Sequence, residues 1–457
     1  MPGVPSGRGC EACRIQKKKA KPSCSRCTRL QIACVGAGQQ RYKFVEQYPS
    51  RTVTKTDMPK SGQKIAYKPI TAMPEAPSNE LTVMANAFIR MIKATTDVRY
   101  NLVWSYGGFL RHIPQRLGRN EALDASVRAL IDAHSNFCLQ QEVTKSVLVK
   151  YSSGLSKLRS CLDDPIKART PETLCAVMIL LVCQGFIGTT EFNWTGHCEG
   201  AAQILKARSY YDPNDEFESK LVLSLRGPVL FEALMNRKIK FTAFEWKTLI
   251  ENHLDEGTGE GQMMRCLARA PDFMRRGRLL LYEETEDPTL LRDMRTNYEQ
   301  VKEVVQTFKA RFSDIQENVS DKTPILSSTV LVHSLYQRSY DLALTIAIML
   351  NCILSSIDFE QELELQLDAT AFAKEILSHA ASAARYKPMG SAFMLLCLGA
   401  AWVGTTDSLL RSSIETAMVE YQQSVTRIDN PQFIYTHVVP ALHMADVQLR
   451  LLDNEPV

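Results

Sequence analysis

Apolar residues recur at helical spacing almost without interruption from about Leu81 onward. The clearest series is Leu291, Met294, Tyr298, Val301, Val305, Phe308 and Phe312, which advances by alternating steps of three and four residues. Such a row lies along one face of a helix and needs an apolar partner. The simplest partner is a neighbouring helix of the same domain. A seam between two copies, giving a homodimer, is the alternative, because three heptads reach the minimum for a coiled coil. From Leu174 to Gln184 the chain is apolar on all sides, which predicts a central buried helix. Thr170-Pro171-Glu172-Thr173 opens that run, with proline in the first turn, where its missing N–H breaks no helical hydrogen bond. Glycine and proline fall mostly between the periodic runs. No stretch alternates with period two around a tight glycine turn, so strands are not expected. The pattern predicts an all-α body over residues 81–457, built of antiparallel helices.

The first eighty residues read differently. Residues 41–80 carry Pro49, Pro59, Pro69, Pro74 and Pro77 among many Ser, Thr and Lys, a composition that favours a flexible linker. The chain is 457 residues long and 45% hydrophobic, enough for a large core. Its net charge of +4 is unevenly spread: residues 1–43 carry +9 and the rest −5. A basic head on a mildly acidic body points to a polyanion at the N-terminus. No apolar stretch resembling a signal peptide opens the sequence. The most apolar windows, Leu174–Cys183, Leu342–Ile357 and Ala392–Val403, read as buried helices too short or too interrupted to span a bilayer. No membrane partner is expected, and in a reducing compartment clustered cysteines favour metal over disulfides.

Five of the thirteen cysteines fall within residues 8–40: Cys10, Cys13, Cys24, Cys27 and Cys34. They form two C-x2-C pairs, and Cys34 follows the second pair after six residues. Each pair can direct two thiolates at one tetrahedral zinc, and so small a module depends on the metal for its folding energy. Lys17, Lys18 and Lys19 lie between the pairs and suit phosphate contact or nuclear import.

These residues resemble the fungal zinc binuclear-cluster transcription factors, whose pattern is C-x2-C-x6-C-x5-12-C-x2-C-x6-8-C with basic residues after the second cysteine. Cys10, Cys13, Cys24, Cys27 and Cys34 match the first, second, fourth, fifth and sixth cysteines, and Arg14, the lysines and Pro22 match the intervening positions. The body resembles the fungal-specific transcription factor domain at Asn101–Phe109, Arg116–Leu123, Leu174–Met178 and His197–Ala202. The resemblance implies two zincs per cluster and double-stranded DNA with CGG-like sites as the ligand. It also implies the transcription machinery as a partner and action in the nucleus on transcription by RNA polymerase II. Lys17 and Lys18 are the candidates for base contact, since a lysine can donate to guanine O6 and N7. Arg14, Lys19, Lys21, Arg26 and Arg29 are the candidates for phosphate contact.

The sequence departs from the family at the third cysteine, where Ala20 stands. Only ten residues separate Cys13 from Cys24, against at least twelve in the family. With Cys10 and Cys24 as the family's bridging thiolates, one zinc keeps Cys10, Cys24, Cys27 and Cys34. The other keeps only Cys10, Cys13 and Cys24, an open coordination that suits a structural site poorly. The nearest histidine, His112, is far along the chain. A second reading follows: a helical interaction protein whose incomplete cluster no longer binds DNA specifically.

The other motifs read as structural. The remaining eight cysteines suit small buried hydrophobes, and His197 beside Cys198 lacks a third ligand. Gly257-Thr-Gly259-Glu-Gly261 lacks the Lys-Ser/Thr of a phosphate loop and reads as a flexible turn. Glu360–Asp368 mixes acids with Leu363, Leu365 and Leu367 and reads as a solvated helix face. No G-x-S-x-G or H-E-x-x-H occurs, and an enzyme is not expected.

Overall fold

The computed structural model describes residues 29–31, 79–93, 97–187, 194–208, 212, 214–235, 238–242, 244–247, 257–282, 286–320 and 322–426. The chain divides into two units, Met1–Pro74 and Glu75–Val457, and every element named below belongs to the second. Among the described residues there are helices and their connections and no strand.

Local chemistry sets the helix starts. Asn79 opens α1 (Glu80–Ile92) by accepting from the Thr82 amide at 2.7 Å. Asn101 opens the short α2 (Leu102–Tyr106), which leads into a 3-10 stretch at Gly108–Gln115. Asn120 accepts from two amides at the head of α3 (Glu121–Cys138), and Thr144 caps α4 (Lys145–Leu162). Asn and Thr hold these positions because their oxygens satisfy amides that the first turn leaves unpaired. The Thr170 hydroxyl accepts from Thr173 N at 3.3 Å, and Pro171 is the first residue of α5 (Pro171–Ile187), as its sequence predicts.

Every residue of α5 except Pro171 and Gly185 is buried, against α3, α4 and α6 (Trp194–Ala207). Next come α7 (Glu216–Met235), α8 (Gly259–Tyr282), α9 (Leu290–Gln316), α10 (Ser328–Ser355), α11 (Glu362–Ala383), α12 (Met394–Gly404) and α13 (Ser408–Thr426). α10 is the hub of this half, packed on α8, α9, α11 and α12. One continuous core joins the two halves, with α13 reaching α5 and α8 touching α7. Consecutive helices such as α3 and α4, or α9 and α10, lie along one another after a connection of only a few to about eleven residues, which requires the chain to reverse.

Three details refine the sequence reading. In α9, Met294, Tyr298, Val301, Val305, Phe308 and Phe312 are buried within the domain, chiefly against α10 and α8. That row is therefore occupied inside the chain and does not offer a seam to a second copy. The glycine-rich stretch is no flexible turn over its whole length: Gly259 begins α8, and Thr258 Oγ1 accepts from Gly261 N at 3.2 Å. A Cβ on Gly259 would sit 2.9 Å from the Phe308 ring, so glycine lets α8 approach α9 closely. Finally, α10 starts well before its apolar window and has the length and hydropathy to cross a membrane, contrary to the expectation from the window alone. Yet 83% of its most apolar stretch is buried inside the protein, as in a core helix.

Candidate functional site

Cys10, Cys13, Cys24, Cys27 and Cys34 lie outside the described residues, as do Arg14, Lys17, Lys18, Lys19, Lys21 and Arg26. So does the linker as far as residue 78. Arg29 alone of the predicted DNA contacts is described, and it is exposed.

Within the body, ionisable chemistry concentrates where α9, α10 and α11 meet. Asp341 on α10 is fully buried, and its Oδ1 lies 2.6 Å from Nδ1 of His379 on α11. Burial pushes the Asp341 carboxyl up to about 6, with the His379 hydrogen bond pulling the other way. One turn earlier, Gln337 donates to the His379 carbonyl at 3.1 Å and to Ser382 Oγ at 3.0 Å. A further turn back, His333 Nε2 meets Gln316 Oε1 at 2.5 Å, and Nδ1 meets the Tyr386 hydroxyl at 2.7 Å. The amide oxygen can only accept, so Nε2 carries the proton and Tyr386 donates to Nδ1. Both ring nitrogens of a neutral imidazole are thereby satisfied, and burial lowers the His333 pKa to about 4. The Phe312 ring lies against His333, Tyr340 and His379, with centroids 5.1–5.9 Å apart.

An Asp–His pair can orient a general base, but such a base needs a hydroxyl or thiol at its other nitrogen. Among the described residues none is hydrogen-bonded to His379 Nε2; the Ser382 hydroxyl donates instead to the His379 carbonyl at 2.9 Å. The cluster ties three helices together rather than assembling a nucleophile.

Seven of the eight described cysteines are buried and Cys138 is half-buried. Burial raises the thiol pKa values, to about 12 at Cys198 and about 11 at Cys266, which leaves little thiolate. His197 bonds the Tyr151 hydroxyl at 2.9 Å. Among the described residues no group of three or more His, Cys, Asp or Glu is placed to hold a metal.

Sequence reasoning missed Arg338. Its guanidinium stacks 4.2 Å over the Trp104 ring and donates to the Trp104 carbonyl at 2.9 Å, pinning α2 to α10. Burial lowers its pKa to about 10. The signal was a lone cation ahead of the α10 apolar run, which periodicity alone places on a polar face.

No family model, curated protein or solved structure matches the chain.

Proposed function

We propose that the protein is a zinc-dependent, sequence-specific DNA-binding regulator of transcription by RNA polymerase II, acting in the nucleus. The observation that carries this reading is the five-cysteine set Cys10, Cys13, Cys24, Cys27 and Cys34 with Lys17–Lys19 between its pairs, inside a segment of net charge +9. Five thiolates fit one tetrahedral zinc fully and leave a second with three. The first would hold the Cys24–Cys34 half firmly, and the second would hold the lysine segment weakly. The helical body takes the regulatory role.

Lys17 and Lys18 read bases, and Arg14, Lys19, Lys21, Arg26 and Arg29 fix register on phosphates. Lys17→Ala is then expected to lower discrimination between a CGG-containing duplex and a scrambled one. Arg29→Ala is expected to weaken both duplexes alike and to make binding less salt-dependent. Unchanged discrimination in Lys17→Ala would remove its base-reading role.

Ala20 in place of a cysteine favours a second reading, in which the body persists as an interaction protein without specific DNA binding. Metal analysis separates the two. One tight and one weak zinc per chain, with a gain in DNA affinity when Cys-Asp-Glu is inserted between Lys19 and Ala20, supports the first reading. No zinc, and no response to the insertion, supports the second.

A further inference from the structure

At the start of α11 an apolar ridge stands in solvent. Phe359, in the turn just before the helix, and Leu363 and Leu367 on it follow at four-residue steps and are 70%, 73% and 64% exposed. Leu365 and Ala369 are buried on the opposite side, so the two leucines occupy the outermost face of the helix. Thr370 meets Thr405 at 3.4 Å, which brings the start of α13 to the same end of the domain, where Leu409 is 79% exposed. Large apolar side chains grouped in water in this way mark an interaction surface, because a partner's apolar face removes them from water at a gain in free energy.

The ridge is rimmed by acid. Each residue advances about 100° around a helix, so Glu362 and Glu364 fall on opposite flanks of Leu363. Both are exposed, and neither makes an ion pair among the described residues; Glu362 accepts only from the Gln366 amide, at 3.1 Å. The cations that reach this edge from α9 are outnumbered. Arg295 is shared by Asp358 and Glu360, and Lys302 by Glu299 and Asp368. Lys374, two turns beyond Leu367, marks the far end of the acidic stretch. The sequence reading of Glu360–Asp368 as a solvated face therefore holds for its acids and leaves Leu363 and Leu367 uncovered.

Charge decides among the occupants. The acidic rim repels nucleic-acid phosphates and anionic lipid headgroups, and a wholly apolar partner would strip water from Glu362 and Glu364 without compensation. We infer that this ridge docks an amphipathic helix of a partner protein whose apolar stripe is flanked by lysine or arginine. The stripe covers Phe359, Leu363 and Leu367, and the flanking cations pair with Glu362 and Glu364. Apolar contact supplies the attraction, and the charges select the partner. One helix laid on so short a ridge buries less than the roughly 800 Å² per partner of a standard interface. The complex is therefore weak, and its exposed ion pairs make it sensitive to salt. It is a property of the body and stands apart from DNA binding by the head.

Fluorescence anisotropy of two labelled model peptides on the full chain tests this. Both are amphipathic helices with the same leucine stripe, one flanked by lysine and arginine and the other by glutamate. The basic peptide is expected to bind in the micromolar range, about tenfold more tightly than the acidic one and about tenfold more weakly at high salt. Leu363→Ser/Leu367→Ser is expected to abolish binding with the helical circular dichroism unchanged, and Leu363→Met/Leu367→Met to keep it. Glu362→Lys/Glu364→Lys is expected to reverse the preference and favour the acidic peptide, which adventitious sticking elsewhere on the surface would not do. Leu148→Ser/Leu155→Ser, on α4, is expected to bind as the wild type does. Equal binding of both peptides, binding of neither, or binding that survives Leu363→Ser/Leu367→Ser would overturn the inference. So would self-association of the chain lost in that same variant, which would give the ridge to a second copy. Tighter binding after truncation at Thr426 would likewise overturn it, by giving the ridge to residues 427–457 of the same chain.

Discussion

His333 shows at the scale of one residue what the core demands. Both ring nitrogens are occupied, so the native state resists the second proton, and the pKa falls to about 4 from an ordinary value near 6.5. The sign follows directly. The contribution is present above pH 6.5, where both states are neutral, and is lost as pH falls toward 4, because only the unfolded chain binds the proton readily. At pH 5 this amounts to about 2 kcal/mol less stability than at pH 7. Asp341 acts oppositely: its raised carboxyl takes up a proton in the native state first, which favours folding as pH falls from about 6. The difference between wild type and His333→Gln, measured by urea unfolding at pH 7 and pH 5, isolates the histidine. A flatter acid limb in the variant is expected, and parallel curves would contradict it. Gly390 makes a steric demand instead. A Cβ there would fall 2.8 Å from the backbone oxygens of both Tyr386 and Val98. Gly390→Ala is expected to cost about 2 kcal/mol or more, seen as a lowered melting temperature.

Among the elements, α9 and α5 were legible because burial on a helix is written at a fixed local period. The row from Met294 to Phe312 names its own inward face, and α5 has no polar side to misread. What joins elements was not legible. His333 meets Tyr386 across 53 positions and Asp341 meets His379 across 38, so no local pattern announces either pair. On α4 the leucines at every seventh position, Leu148, Leu155 and Leu162, stay exposed, and the helix packs through Val147, Gly154, Leu158 and Cys161. Two substitutions contrast these environments. Phe308 is fully buried against the α8 start, and Phe308→Ala is expected to cost about 3–5 kcal/mol. Leu363 is 73% exposed, and Leu363→Ser is expected to stay within about 0.5 kcal/mol of wild type. Denaturation midpoints of the two variants check the pair, and similar losses in both would contradict the packing described.

For the whole molecule, the proposed function requires a metal-dependent head beside a body that folds without metal. The proposed head rests on the sequence alone, since Cys10, Cys13, Cys24, Cys27 and Cys34 lie outside the described residues and the C-x2-C spacing carries the signal by itself. Every proposed ligand lies between Cys10 and Cys34. The described residues from Met84 to Tyr421 bury an apolar core without them, so chelation should leave the helical circular dichroism of the full chain largely intact while abolishing specific DNA binding. The most direct measurement is fluorescence anisotropy of the full chain on a CGG-containing duplex and on a scrambled duplex, with zinc and after chelation. The account predicts tighter binding to the CGG duplex, weakened by salt and lost on chelation. Equal binding to both duplexes, unchanged when zinc is removed, would contradict it.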